Sequence, residues 1–273
     1  MKNHPGKKLI KAIVITVIWF AIWQIICLLV GRELLIPSPL RVLIKLWTLA
    51  GTGRFWSNIA LSILRIVIGY LAALAVGSLI GILTALSGLL DAFLSPIAKI
   101  IRATPVASFI ILLFVFLARN HIPAFTAFLM VVPLVWANVY EGIKNCDQNL
   151  LEMAQVFCLR RRTILGKIYL PSVMPFFLAA ARTGMGLAWK AGIAAEVLTS
   201  PTYGIGTALY NSKIYLETTD LFAWTCVIIL ISVILEKLFL QLIRKLPFGQ
   251  TSGVPHHRNA PQNKNMHSPR SMH

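Results

Sequence analysis

Gln148-Asn149-Leu150-Leu151-Glu152-Met153-Ala154-Gln155-Val156-Phe157-Cys158 is followed by Arg160-Arg161-Arg162 and then by Ile168-Tyr169-Leu170-Pro171. Together they form a polar interlude between two long apolar runs. Connections inside compact domains are usually short. One that carries its own amphipathic helix and a defined exit proline is expected to be handled by another protein. Taken as helix, Leu150, Leu151, Ala154, Phe157 and Cys158 recur at three- and four-residue spacing. They form an apolar face opposite Gln148, Glu152 and Gln155. Such a face can rest on its own bundle, lie on lipid headgroups or sit in a partner's groove. The arginine run suits anionic lipid and also complements a helix C-terminus.

The remainder of the chain says what this interlude interrupts. Of 273 residues, 57% are hydrophobic and 13% charged, with mean hydropathy +0.75. A soluble domain carries about 25% charged residues, so much of this surface is expected to face lipid in a single membrane domain. The net charge of +17 does not point to nucleic acid. The basic residues flank apolar runs rather than forming a groove with interleaved aromatics.

Crossing the hydrocarbon takes about 20 apolar residues. Runs near 9–30, 60–86, 100–118, 123–140, 173–198 and 221–243 meet that length. The predicted fold is an all-α membrane protein with six transmembrane helices, the membrane domain covering 9–246. Residues 1–8 form a short N-terminal segment, and 247–273, rich in Gly, Pro, Asn, Ser and His, a disordered tail. The first run is too long for a signal-peptide core and lacks a small-residue cleavage site, so it is expected to be retained. With the N-terminus inside, cytoplasmic segments hold Lys2, Lys7, Lys8, Lys11, Lys99, Arg102, Lys144, Arg160, Arg161, Arg162, Lys167 and the basic residues after 243. Outer segments hold only Arg32, Arg41, Lys45, Arg54, Arg119 and Lys213. The positive-inside rule therefore predicts that both termini and the 142–171 loop are cytoplasmic.

Chemistry is thin. Cys27, Cys146, Cys158 and Cys226 form no Cys-x-x-Cys pair, and no His joins them at metal-ligand spacing, so they read as small buried residues. No Gly-x-x-x-x-Gly-Lys-Ser/Thr loop is present, and Gly166-Lys167 lacks both the upstream glycine and the following hydroxyl. No catalytic constellation suggests itself. Inside the spans, Arg182, Lys190 and Glu196 share the fifth run; Arg182 and Glu196 fall within about 40° on a helix. Two readings stand: an anion pathway, or cations satisfied by Glu196, by a neighbouring helix or by snorkelling. Gly77-x-x-x-Gly81 reads as a helix-packing seam.

The interlude resembles the Glu-Ala-Ala loop of ABC-transporter permeases. Glu152, Ala154, Ile168, Leu170 and Pro171 fall in its register. Met153 stands at the second motif position, and Cys158 stands where the family has a glycine able to take positive φ. Ile36-Pro37-Ser38-Pro39, Ser62 with Arg65 and Gly69, Leu94-Ser95-Pro96, Arg102-Ala103-Thr104-Pro105, Gly186-Leu187-Ala188-Trp189 and Ala194-Ala195-Glu196 look, in this order, like the nitrate/sulfonate/taurine group of importers. The resemblance implies a type I ABC-importer permease in a bacterial inner (plasma) membrane. It further implies a pair of ATPase subunits that bind ATP and Mg, a second copy of this chain, an extracytoplasmic solute-binding protein, and a small anionic cargo. Glu152, Met153, Ala154, Phe157, Cys158, Ile168, Leu170 and Pro171 would then form the ATPase-coupling site, with no catalytic residue or cofactor in this chain. The alternative is an ion-coupled secondary transporter working without an ATPase. That mechanism needs intramembrane carboxylates, and Glu196 is the one candidate read from the sequence.

Overall fold

Gly69, Ala73, Gly77 and Gly81 fall four apart on one face of a long helix, and the bundle is assembled around that seam. In the computed structural model, which describes residues 5–32 and 35–244, the secondary structure is entirely helical. Residues 1–4 of the expected N-terminal segment and the whole expected tail 247–273 lie outside the described residues.

In chain order the elements are α1 (Pro5–Val30), α2 (Pro39–Ala50), α3 (Gly53–Leu86), α4 (Gly88–Ala103), α5 (Val106–Phe116) and α6 (Ile122–Lys144). There follow α7 (Gln148–Val156), α8 (Arg161–Ile164), a π-helical turn (Leu165–Tyr169), α9 (Leu170–Thr199), α10 (Ile205–Ile214) and α11 (Thr218–Arg244). Among the described residues five helices are long and apolar enough to cross a membrane, and α4 with α5 makes a sixth crossing if the bent pair counts as one.

Lipid tails are as apolar as leucine, so helices in a bilayer associate through close packing and hydrogen bonds rather than hydrophobic burial. The seam supplies the first. A Cβ added at Gly77 would lie 2.9 Å from the Val132 carbonyl oxygen, and one at Gly81 2.8 Å from that of Trp136. Hydrogen bonds supply the second. Trp136 Nε1 donates to Thr84 Oγ1 at 2.8 Å, joining α6 to α3, and Tyr70 Oη donates to the Ala181 carbonyl at 2.8 Å, joining α3 to α9. Ile66, Tyr70, Val131, Val135, Ala188 and Trp189 fill the space between the three helices.

The third span departs from expectation. Residues 100–118 were expected to be one helix, but α4 and α5 meet at 107° across Thr104-Pro105. The proline ring disfavours helical ψ at the residue before it, and Thr104 is accordingly extended (φ −81°, ψ 130°). The fifth span has Pro171 in the first turn of α9, but helical backbone already runs from Arg161 through the π-helical turn, so no break separates the loop from the span. A proline inside a helix lacks one N–H and crowds the carbonyl of i−4. The wide turn just before it makes room, with the Leu170 N–H reaching back to the Leu165 carbonyl. The second span starts seven residues before 60, at Gly53, where the Thr52 hydroxyl accepts from the Phe55 N–H at 3.4 Å.

Between the first two spans lies the short helix α2, opened by Pro39 at its first turn. Trp47 on it is 84% exposed. Lys45 bridges to Asp220 at 2.7 Å and ties α2 to the start of α11.

Candidate functional site

The 142–171 interlude folds into an elbow. Asp147 caps α7, its carboxylate accepting from the Asn149 N–H at 2.9 Å. Ala154 is fully buried and packs with Cys146 and Ile168, while Leu151, Ile164 and Tyr169 close the cluster. A small residue at 154 is what lets α7 lie directly on the root of the next helix.

The remaining apolar side chains of α7 face away from the bundle. Leu150 and Met153 point outward, and Phe157 just past the helix end joins them, with Met153 44% and Phe157 70% exposed. Glu152 is exposed beside them. This corrects the face read from the sequence, which grouped Leu150, Leu151, Ala154, Phe157 and Cys158. Leu151 and Ala154 turn inward, and Leu150 and Phe157 turn out. The contacts with Cys146 and Ile168 set the rotation of the helix. The chain also leaves the helix at Val156, so the wheel no longer places Phe157 and Cys158.

The exit from α7 is a Schellman turn. The Leu159 N–H bonds to the Ala154 carbonyl at 2.9 Å and the Cys158 N–H to that of Gln155 at 3.0 Å. Cys158 takes φ 48°, left-handed, where the resembled loop has glycine. The elbow therefore keeps the geometry without the residue that holds it most cheaply. An L side chain in this region costs about 1–2 kcal/mol. Cys158→Gly is expected to slow hydrogen exchange of the 150–159 amides about fivefold, corresponding to about 1 kcal/mol of local stability. Cys158→Val is expected to speed it. Equal exchange in the glycine variant and the wild type would mean that residue 158 is not held left-handed.

Ile168 is buried, Leu170 is 44% exposed and Pro171 is exposed. Leu170 lines an apolar cavity of about 370 Å³ with Leu165, Gly166, Tyr169 and Val173, against Ile82, Leu86 and Ile143. The elbow thus joins α9 through a π-helical turn beside a void, and such turns are frequent at functional sites.

At the opposite end of the bundle a buried ionic knot closes the structure. Glu196 accepts from Ser62 Oγ at 2.6 Å and from the Gly206 N–H at 3.0 Å, and pairs with Arg65 at 3.4 Å. Ser62 Oγ also accepts from the Ile205 N–H at 2.8 Å, and Asn58 Oδ1 from the Gly204 N–H at 3.1 Å. Arg65 donates a second bond to the Tyr203 carbonyl. A charge buried without partners would be prohibitive, and here the loop backbone supplies them. Gly206 is required by contact: a Cβ there would lie 2.4 Å from Glu196 Cβ.

The sequence reading singled out Ser62 with Arg65, and Glu196, separately but did not join them. Sites far apart in sequence carry no signal of contact in a single chain. Arg182 does not meet Glu196. It reaches Glu236 of α11 at 4.0 Å, a carboxylate the sequence reading passed over. Lys190 is exposed and, among the described residues, has no hydrogen bond or ion pair.

Comparison with known proteins fits this geometry. Residues 77–246 match the family described as binding-protein-dependent transport system inner membrane component. The chain belongs to that family. The permease is 30% identical to the nitrate import permease protein NrtB of Synechococcus elongatus, over 78% of its own length and 79% of the relative's. It is 27% identical to the putative aliphatic sulfonates transport permease protein SsuC of Bacillus subtilis, over 90% and 91%, and 28% identical to the taurine transport system permease protein TauC of Escherichia coli, over 85% and 86%. Its fold is similar to that of an amino acid ABC transporter crystallised with histidines (TM-score 0.56, 16% identity, 75% of this chain and 97% of that one). It is also similar to the inward-facing MetNI methionine ABC transporter (TM-score 0.55, 14% identity, 69% and 92%).

The permease is thus the multi-pass inner-membrane subunit of an ABC importer, with the type I helical architecture. It is not a catalyst; nucleotide is bound by the ATPase subunits with which such permeases partner, and its family works with a solute-binding protein. The ion-coupled alternative is set aside.

Proposed function

We propose that the permease works as a homodimer with two ATPase subunits, that the 142–171 elbow is the part they hold, and that its cargo is a small anion of the nitrate, alkanesulfonate or taurine type. The observation that carries the coupling reading is the division of α7. Ala154 is sealed against Cys146 and Ile168, while Leu150, Met153 and Phe157 stand outward, exposed among the described residues. An amphipathic helix fixed from behind and apolar in front suits a groove in a partner. A push on α7 passes through the Ala154–Ile168 contact into α9.

The elbow and both termini lie on the cytoplasmic side, in keeping with the basic residues gathered at that end. The six spans form residues 9–246, with 1–8 and 247–273 as cytoplasmic ends. The cargo reading rests on what the relatives are named for: nitrate, aliphatic sulfonates and taurine. One elbow per chain and two ATPases per importer imply two copies.

A photo-crosslinking amino acid at Met153 or Phe157 in the assembled importer is expected to capture the ATPase. The same probe at Trp47 on α2, at the opposite end, is expected to capture none. Capture from Trp47, or none from Met153 and Phe157, would refute the coupling site.

A further inference from the structure

The exposed side chains of most helices are those lipid selects: Ile111, Leu112 and Val115 on α5, and Ile229, Val233 and Leu238 on α11. Helix α9 is different. The stripe of it left exposed by the other described residues runs through Ala179, Thr183, Leu187, Lys190 and Ala194. Small, hydroxyl-bearing and cationic residues are not a lipid-facing set, and a charge inside a span normally faces the bundle interior or a watery passage.

Two cations stand on this side of α9, and their circumstances separate them. Arg182 reaches Glu236 at 4.0 Å. Lys190, inside the Arg161–Thr199 span, has no ionic or hydrogen-bonding partner among the described residues.

Beside the stripe opens a cavity of about 380 Å³ at the break between α4 and α5. Arg102, Thr104, Pro105, Met130, Pro133 and Leu187 line it, and no carboxylate does. One guanidinium nitrogen of Arg102 donates to the Pro133 carbonyl at 2.8 Å, which holds the charge at the cavity wall. Leu187 is one helical turn from Lys190, on the same face. Broken helices inside a membrane recur where transporters bind their solute, because irregular backbone is tolerated only where it lines a cavity.

We propose that the uncovered stripe of α9 is the wall of the solute passage and that Lys190 is its specificity-determining residue, contacting an oxyanion as it passes the cavity at the α4–α5 break. The ligand class is a small singly charged oxyanion, for which Lys190 and Arg102 supply positive charge, Arg182 being drawn aside to Glu236. A water occupies roughly 30 Å³ of liquid, so the cavity has room for such an ion with part of its hydration shell. The inference rests on the anionic-cargo reading above and adds the residue that enforces it.

The test uses the complete importer, with permease, ATPase and binding protein, in proteoliposomes, with nitrate and ethanesulfonate as probes. The readout is anion taken up per ATP hydrolysed. Lys190→Met, which keeps an unbranched side chain one atom shorter and removes the charge, is expected to lower that ratio at least tenfold, and Lys190→Arg to keep it within threefold. If the methionine variant does not assemble, Lys190→Gln takes its place with the same thresholds. A methionine or glutamine variant that couples within threefold of wild type would show that Lys190 merely snorkels to the surface. That overturns this inference and leaves the cargo reading standing. Wild-type vesicles that hydrolyse ATP in response to loaded binding protein but accumulate neither probe would overturn the cargo reading, and this inference with it.

Discussion

Replacing Glu196 by alanine is expected to lower the stability of the permease by about 4 kcal/mol, the range for removing one partner of a buried ion pair. The melting temperature in detergent should then fall by about 10 °C, at roughly 2–4 °C per kcal/mol for a chain of this size. The magnitude follows from what is left behind. Arg65, whose side chain is only 14% exposed, keeps the Tyr203 carbonyl but loses its counter-charge. The Gly206 N–H loses its acceptor, and Ser62 Oγ loses its short bond while still accepting from Ile205.

Glu196→Gln is expected to be milder, about 2 kcal/mol, since an amide oxygen can still accept from Ser62 or Gly206. Ser62→Ala is expected to fall in the same range, because it orphans the Ile205 N–H. Hydrogen exchange at 203–206 should rise first, since those residues are held to α3 and α9 by the knot. An alanine variant that melts with the wild type and keeps its 203–206 protection would mean the ion pair holds nothing. The matched series Ala, Gln and Ser62→Ala separates loss of charge from loss of hydrogen bonds.

How much of this was readable beforehand divides along physical lines. Hydropathy located the spans because apolar runs in lipid have few alternatives, and the amphipathic interlude announced a helix with one face packed and one exposed. The rotation of that helix was not readable. Leu150 and Leu151 are equally apolar, and only the position of Cys146 and Ile168 in space decides which of them turns inward. The break of the third span was written in Thr104-Pro105, but the apolar count across 100–118 outweighed a single proline. Arg182 and Glu196 looked like neighbours because periodicity relates residues on one helix. Their partners, Glu236 and Arg65, come from other helices, where periodicity carries no information. The seam at Gly77 and Gly81 was legible for the opposite reason: spacing on one helix is what defines it.

That seam carries the other large effect. Gly69→Ala is expected to destabilise the permease by about 3 kcal/mol or more, at the upper end for overpacking. An added Cβ would lie 2.0 Å from the Ala124 carbonyl oxygen, a backbone atom that no rotamer change can move. Helices α3 and α6 would have to separate. Gly77→Ala and Gly81→Ala, whose added carbons would lie 2.9 Å and 2.8 Å from the facing carbonyl oxygens, are expected to cost about 1–2 kcal/mol each. Gly88→Ala meets nothing within 4 Å and is expected to stay within about 0.5 kcal/mol of wild type. Thermal melts in detergent would rank the four. Equal melting of the Gly69 and Gly88 variants would contradict the close crossing. The consequence reaches function because α6 carries both working ends of the reading developed above. Its Pro133 carbonyl holds Arg102 at the break in the third span, and its last turn at Lys144 leads into the elbow. Spreading α3 from α6 is therefore expected to lower transport per ATP as well as stability, and Gly69→Ala should lose both together. Gly88→Ala, at the start of α4 and clear of the seam, should lose neither.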